Sequence, residues 1–401
     1  MRILFVVPKV PFPPTDGGRV VMYNTAKTLS RAGHEIGFAC LIPDGETLSP
    51  EFCREFPVWY TEADLHTKPV GLLRSIFTSI PYSYWKHQPR SFLRVVARAA
   101  ACFKPDIVQV DFLHVGIYGL LAGRQQGVPV ILRMHNVDSS LMARFQHVQL
   151  NPLVRLYAAL QERRLRFYES EYLRRFDRCV AITDDDARLL SRIGGISVDV
   201  VPSGVDTSYF SPSGMAEEPD SVVSVALMNW MPNIVSTRWF LNQVFPFIQR
   251  QIPGVKFFIV GKGPPSDIRR HSDGKSVLVT GFVDDVRPWF AKSAVVVVPT
   301  RVGSGMRIKI LESLAMGKAV VSTRVGCEGI AGLVDGENVV IADSERDFAA
   351  AVVRLLKNKR QRERQGSAGR RLVMSRYQWA HVGAEFERIY RETLGKYWGN
   401  A

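Results

Sequence analysis

Cysteine is scarce. The 401 residues hold five, Cys40, Cys53, Cys102, Cys179 and Cys327, widely scattered and with no Cys-x-x-Cys pair. This spacing argues against a disulfide framework or a thiolate metal site and predicts reduced, buried thiols in a cytosolic protein. Long apolar runs are also missing: no stretch of 18 or more occurs, so no segment is predicted to span a bilayer. The apolar opening, residues 1–8, stops too early for a signal-peptide core and reads as a buried first strand. Two nucleotide-binding signatures are absent. Gly261-Lys-Gly263 and Gly303-Ser-Gly305 each begin a Gly-x-Gly-x-x-Gly fingerprint without completing it, and no Gly-x-x-x-x-Gly-Lys-Ser/Thr run exists. A dinucleotide fingerprint and a Walker-type phosphate loop are thereby set aside.

Basic residues are in excess. The 52 Lys+Arg against 38 Asp+Glu give a net charge of +14, which points to an anionic partner: nucleic acid, a phosphorylated ligand or an acidic membrane surface. Short β-branched runs alternate with helical patterns from end to end. Strands are predicted at 3–7, 107–111, 129–133, 256–260 and 295–299 among others, several of them near-continuous apolar runs that suit burial on both faces. Helical patterns between them include 19–31, 234–250 and 306–316. Such alternation predicts an α/β fold with parallel sheets and right-handed crossovers. It pauses in a polar, Pro/Gly-rich stretch over 202–220, dividing the chain into an N-terminal domain at 1–205, a second domain at 206–376 and an amphipathic terminal helix over 377–401.

Three places carry candidate chemistry. Residues 11–19 lie between the first strand and the first helix, where Gly17-Gly18 either presents backbone N–H groups to a phosphate or sugar hydroxyl or forms a tight turn capped by Asp16. Residues 299–318 run from a hydrophobic strand through a Gly-rich loop into a helix with Arg307 and Lys309 in its first turns. Cations there oppose the helix dipole, so either an anion such as a diphosphate binds between them or they sit on a solvated face. Glu312, about a turn further on, suits hydrogen bonds from ribose hydroxyls. His135 follows a buried strand and opens a polar turn at the carboxyl end of the first sheet, where α/β proteins bind ligands; a lone histidine is otherwise a structural one.

Taken together, Ile310-Leu-Glu312-Ser-Leu-Ala-Met-Gly-Lys318, Leu132-Arg-Met-His-Asn136, Val201-Pro-Ser-Gly-Val-Asp206, Phe258-Ile-Val-Gly-Lys-Gly-Pro264 and Val279-Thr-Gly-Phe-Val-Asp-Asp285 resemble family 4 retaining glycosyltransferases of the GT-B fold. Within that family the chain is most similar to exopolysaccharide-associated sugar transferases, through Met228-Asn-Trp-Met-Pro-Asn233. The resemblance implies two Rossmann-like parallel-sheet domains facing a cleft, with the terminal helix crossing back to the N-terminal domain. It implies a nucleoside diphosphate sugar as donor, no cofactor, no metal, and transfer to an acceptor hydroxyl with retention of anomeric configuration. Glu312 matches the second Glu of the family's Glu-x7-Glu motif, which binds the donor ribose. Ser304 stands where the first Glu would be, leaving Ser304, Gly305 and Met306 to contact the donor. Relatives often carry cations just after the first strand of the second domain; residues 225–233 have none, so diphosphate neutralisation falls to Arg307 and Lys309. His135 matches the histidine lining the donor sugar, and Gly17 and Gly18 match the loop that faces the donor phosphates and the acceptor. No Asp-x-Asp metal site lies in the donor domain, and Asp184-Asp-Asp186 reads as helix capping.

From Lys68 to Lys104 there are seven cations and no acid, interleaved with Leu72, Leu73, Ile76, Phe77, Tyr82, Tyr84 and Trp85. In a GT-B enzyme this belongs to the acceptor domain and suits an anionic membrane surface with a glycan or lipid-linked acceptor, or else forms a solvated basic face. The run from Arg354 to Arg376 is expected to be mostly exposed helix. No RNA-binding type of basic motif interleaved with aromatics occurs, so no nucleic acid partner is expected, and the chain is placed in the cytoplasm, peripherally on the inner face of the membrane. Two other readings stay open: a nucleotide-sugar epimerase on the same fold, and a catalytically degenerate basic membrane-binding module, for which Ser304 is the main support.

Overall fold

The computed structural model describes residues 1–78, 80–149, 151–303 and 305–399. It divides into two compact units, one formed by Met1–Pro202 with the chain from Trp379 onward, the other by Ser203–Gln378. Among the described residues the first unit holds β1 (Arg2–Val7), β2 (Glu35–Pro43), β3 (Val58–Ala63), β4 (Ile107–Asp111), β5 (Val130–Met134), β6 (Arg178–Ala181) and β7 (Val198–Val200). Their order is β3-β2-β1-β4-β5-β6-β7, with every pair parallel. The second unit holds β8 (Glu218–Val225), β9 (Lys256–Val260), β10 (Val277–Gly281), β11 (Ser293–Val298), β12 (Ala319–Ser322) and β13 (Val340–Ile341), ordered β10-β9-β8-β11-β12-β13 and again parallel.

The α/β expectation holds. Alternate residues of the second sheet feed separate cores, Val222, Phe257, Ile259, Val295 and Val297 on one face and Val223, Phe258, Val260, Val296 and Val298 on the other, as a parallel sheet covered on both sides requires. β3 escaped the sequence pattern because it is an edge strand whose residues from Val58 to Glu62 are half-buried or exposed rather than a continuous apolar run. In each sheet the strand order reverses once, between β1 and β4 and between β8 and β11. Ligands of such sheets bind beyond the carboxyl ends of the strands at this reversal.

The terminal helix, Trp379–Gly399, belongs to the first unit and packs on the Gly17–Arg31 helix. Phe386, Ile389 and Tyr390 are fully buried, and a Cβ on Gly383 would lie 2.6 Å from Thr28 Cγ2, so the two helices are as close as glycine permits.

Three expectations need correction. The helix anticipated over 234–250 is interrupted: Met231–Trp239 passes through a π-helical turn, Phe240–Val244, into Phe245–Gln251, because Pro246 has no N–H for the carbonyl one turn earlier and its ring crowds that turn. The basic run near the C-terminus is helical and turns most of its cations outward, as expected, with Arg362 the exception. Within Lys359–Arg376, Arg362 is buried, donating to the Leu355 and Leu356 carbonyls and pairing with Glu217 at 3.0 Å. In the stretch from Lys68 to Lys104, Tyr82 and Tyr84 are core residues, leaving Leu73, Ile76, Phe77 and Trp85 outside. Of the thiols, Cys40 and Cys179 are buried while Cys53 and Cys102 are exposed, since the last two lie on outer faces of the Pro50–Glu55 and Arg90–Phe103 helices. The Asp184–Gly194 helix is capped as anticipated: Thr183 Oγ1 accepts the Asp186 N–H at 3.0 Å and donates to its carboxylate at 2.8 Å.

Candidate functional site

In the first unit, three segments leave the reversal between β1 and β4: residues 8–16 after β1, 112–115 after β4 and 135–137 after β5. Gly17 and Gly18 open a helix capped by Asp16, whose Oδ1 accepts the Arg19 N–H at 3.1 Å. A cation absent from the sequence expectations stands beside them. Lys9 Nζ lies 2.8 and 2.7 Å from the two Asp16 oxygens. The Asp16 carboxyl lies below its usual range: burial raises it, but Lys9 and Arg19 together outweigh burial.

His135 is 6% exposed. Its Nε2 lies 2.9 Å from Asp111 Oδ1, and its ring lies flat on Phe112, centroids 4.0 Å apart and planes 14° from parallel. Asp111 is completely buried and shared. Arg133 donates to it from Nε and, at 3.0 Å, from Nη2, while Arg133 Nη1 donates to Thr25 Oγ1 at 2.8 Å. The guanidinium also sits 5.0 Å over the Phe386 ring of the terminal helix. Burial alone raises the Asp111 carboxyl, but Arg133 and His135 prevail and hold it at about 2. Burial pushes the His135 imidazole below its ordinary value, with Asp111 opposing. The ring is therefore neutral near pH 7.

The turn after His135 is pinned from below. Ser139, in the first turn of the Asp138–Val148 helix, donates its N–H and hydroxyl to Glu169 at 3.1 and 2.5 Å. Asp138 accepts the Tyr84 hydroxyl at 2.8 Å, with His114 Nε2 at 3.8 Å. Burial raises Asp138 to about 6 and lowers His114 to about 3.

In the second unit, β11 leads through a loop containing Gly303 (φ 144°) and Gly305 (φ 75°) into the Ile308–Ala315 helix. Ser304 lies outside the described residues. The helix begins later than anticipated, because these positive-φ positions keep the chain out of helical geometry. Arg307 is its cap residue (φ −92°, ψ 87°), not a member of its first turn. Its side chain turns back, Nη1 donating to the Gly305 carbonyl at 2.5 Å, and a Cβ on Gly303 would lie 2.8 Å from Nη2. Glycine at 303 thus makes room for the guanidinium. Met306 is half-buried in the same loop.

Lys309 is within the first turn and reaches across the reversal between β8 and β11 to Asn233 Oδ1 at 3.2 Å. Asn233 is itself held, its amide donating to the Leu227 carbonyl at 2.8 Å. Glu312 follows at the (i, i+3) position on the Lys309 face. Burial lowers the Lys309 ammonium to about 8, Arg307 adding and Glu312 opposing, and burial raises the Glu312 carboxyl to about 7, Lys309 opposing. Lys309 and Glu312 therefore titrate next to each other near neutrality.

Gly17, Gly18 and His135 thus gather at one sheet reversal, and Gly305, Met306, Arg307, Lys309 and Glu312 at the other. Sequence reasoning missed Asp111, Arg133, Phe112, Lys9 and Asn233. A signal existed for the first two: an acid closing an apolar strand and a cation inside Leu132-Arg133-Met134, since buried charges occur in pairs. Among the described residues, the grouping of metal-ligating side chains is Asp44, Asp64 and His66, exposed and with Lys68 paired to Asp64.

Two Rossmann-like units with all-parallel sheets are the architecture of GT-B glycosyltransferases. The fold matches sucrose-phosphate synthase from Thermosynechococcus elongatus with a TM-score of 0.74 at 16% identity, covering 99% of this chain and 100% of that one. It also matches Anabaena HepE, solved in complex with UDP-glucose, with a TM-score of 0.68 at 14% identity over 98% and 100%. In sequence, the family described as Glycosyltransferase Family 4 matches residues 15–209, and that described as Glycosyl transferases group 1 matches 219–358. Together these span well over half the chain, which belongs to the family 4 glycosyltransferases. An uncharacterized 44.6 kDa protein in the cps region of Klebsiella pneumoniae is 23% identical over 368 residues, 89% of this chain and 91% of its own length. D-inositol 3-phosphate glycosyltransferase of Kribbella flavida is 26% identical over 320 residues, 69% and 70% of the two chains.

Proposed function

We propose that this glycosyltransferase moves a sugar from a nucleoside diphosphate sugar to a hydroxyl of a glycan or lipid-linked acceptor, with retention at the anomeric carbon and without a metal, in cell-surface polysaccharide synthesis. The observation that carries the reading is the half-buried Lys309 and Glu312, one turn apart where the Ile308–Ala315 helix begins, with Lys309 Nζ 3.2 Å from Asn233 Oδ1. The Klebsiella relative's cps region and the UDP-glucose bound by HepE support the pathway and the donor class.

In this reading Glu312 accepts hydrogen bonds from the donor ribose, while Lys309, Arg307 and the loop amides around Gly305 and Met306 face the diphosphate. The bond between the anomeric carbon and the diphosphate oxygen breaks, its electron pair passing to that oxygen, where the fixed cations stabilise the developing charge. The acceptor oxygen attacks from the same face, and its proton passes to the departing phosphate oxygen. His135 lines the sugar as a neutral donor or acceptor, with Gly17 and Gly18 beside it. The epimerase and the degenerate module are not favoured: the family matched is one of transferases, and Glu312 and Lys309 offer a ribose acceptor and a diphosphate cation despite Ser304.

The test is incubation with a panel of nucleotide sugars and glycan or lipid-linked acceptors, reading product configuration by NMR with and without chelator. A retained, chelator-insensitive product is expected; isomerised sugar from donor alone, or an inverted product, overturns the reading. The donor kcat/KM should trace a narrow bell. Below pH 7 Glu312 takes up a proton and loses its capacity to accept, and above pH 8 Lys309 loses its charge, so the rate falls about tenfold per pH unit beyond either limb. A flat profile from pH 6 to 9 removes these two residues from the donor site.

No helix among the described residues is long and apolar enough to cross a membrane, and the membrane contact proposed is peripheral. Phe77 is 87% exposed, Leu153 76% and Leu156 70%. They border one junction, where Arg164 Nη2 donates to the Ile76 carbonyl at 2.6 Å and Ser75 Oγ lies 3.0 Å from the Tyr157 hydroxyl. Exposed Arg90, Arg94 and Arg155 lie on the helices of the same unit. Exposed apolar side chains on a unit that also exposes cations suit anionic lipid. Co-sedimentation with phosphatidylglycerol vesicles should fall at least several-fold in Phe77→Ser/Leu153→Ser; equal binding by the variant moves the contact elsewhere.

A further inference from the structure

Phe112 stands where β4 ends, with φ 70° and ψ 131°. A bulky aromatic side chain rarely occupies that region, and such a conformation persists only where its surroundings over-determine it. Here they do. The Phe112 N–H still donates to the Arg133 carbonyl at 3.0 Å, keeping the backbone in the ladder with β5 two residues before His135. The positive φ then throws the ring sideways onto the imidazole, 4.0 Å away and nearly parallel. Its far end, Cζ, lies 3.2 Å from where a Cβ on Gly18 would be. Phe112 is wedged between His135 and the start of the Gly17–Arg31 helix, and glycine at 18 admits it.

His135 is thus held on its edge by Asp111, through Nε2, and on its face by Phe112. We infer that Phe112 is a positioning residue for His135, its strained backbone supplying an aromatic plate that keeps the imidazole in one plane, with Nε2–H donated to Asp111 and Nδ1 as the acceptor. The activity part of this inference rests on the role proposed above for His135; the orientation part does not.

The charged and titratable groups facing the ring are Asp111 at the end of β4, Arg133 in β5, Lys9 after β1, His114 in the Leu113–Val115 turn and Asp138 in the Asp138–Val148 helix. Burial leads in lowering His135, with Arg133 and Lys9 acting in the same direction against Asp111. Removing the plate changes none of these charges but lets water reach the ring face. The titration of His135 should move up toward its ordinary value as a result.

The test compares Phe112→Tyr, Phe112→Leu and Phe112→Gly, reading the His135 tautomer and titration by 15N NMR of the full chain, with His135→Gln to assign the signals. Phe112→Tyr should keep the wild-type tautomer, titration and most of kcat. Phe112→Leu should mix the two tautomers, raise the His135 midpoint, move the acidic limb of kcat with it and lower kcat about tenfold, with donor KM changed less than about threefold. Phe112→Gly meets no strain at φ 70° and serves as the folded control; it should show the same His135 changes. Wild-type tautomer and titration in both the Leu and Gly variants overturn the inference and leave Phe112 as packing. Altered His135 signals with unchanged kcat leave the positioning intact and remove His135 from the reaction instead.

Discussion

Glu312→Ala should lower kcat/KM for the nucleotide sugar by about 10²–10⁴-fold while the chain folds at least as well as wild type at pH 8. The activity figure follows from two hydrogen bonds between an ionised carboxylate and ribose hydroxyls, each worth about 1.5–3 kcal/mol, converted at about 1.4 kcal/mol per tenfold. The folding figure follows from the sign of the carboxyl's shift. Burial raises Glu312 to about 7 from the usual 4.5, so the folded state binds the proton more tightly than the unfolded one. Ionising the group at pH 8 therefore opposes folding, a penalty that is absent below about pH 4.5, grows as pH rises and is complete above about 7. Alanine removes the penalty along with the function. A second readout separates the ribose contact from general damage. Glu312 opposes the lowering of Lys309, so in the variant Lys309 drops further below 8 and the alkaline limb of the residual activity moves down with it. Thermal unfolding, donor kinetics and the pH profile of Glu312→Ala together decide the assignment; wild-type kcat/KM sinks it.

Much of the fold was legible because strands buried on both faces have a composition of their own. Val295 to Val298, Phe257 to Val260 and Ile3 to Val7 are unbroken apolar runs, and each is a central or near-central strand. The edge strand β3 carries Trp59, Tyr60 and Thr61 with one face outward, and composition does not mark it. At the site, Glu312 and Lys309 could be read from residue type and helical spacing, since both lie inside one helix. Arg307 could not: whether it is the last loop residue or the first helical one depends on the φ angles of Gly303 and Gly305, and its side chain bonds backward to a carbonyl. Phe112 was still less visible. No composition rule puts an aromatic residue at positive φ, and its pairing with His135 joins positions 23 residues apart through two adjacent strands. Site residues at strand ends are thus specified by register between strands, which a single sequence states only indirectly.

Asp111→Ala should be the most destabilising single change in the first unit, by about 3–5 kcal/mol, the usual cost of stranding one member of a buried ion pair. Arg133 is 1% exposed and Asp111 is not exposed at all; without the carboxylate, the Thr25 hydroxyl is the neutral hydrogen-bond acceptor beside a buried guanidinium. At about 2–4 °C per kcal/mol for a unit of this size, the melting temperature should fall by about 6–20 °C. Wild type should show the same dependence in acid. Asp111 is held at about 2 against the usual 3.8, so its contribution is complete above about pH 4 and is lost as pH falls from there to about 2. Replacing both partners, Asp111→Leu with Arg133→Met, should recover much of the lost stability, because an apolar pair of similar volume leaves no charge unpaired. Activity should not return with it, since His135 Nε2 has still lost its acceptor. Stability regained without turnover divides Asp111 into two roles, counter-ion of Arg133 for folding and tether of His135 for chemistry; a single variant that melts with wild type denies the first, and a fully active double variant denies the second.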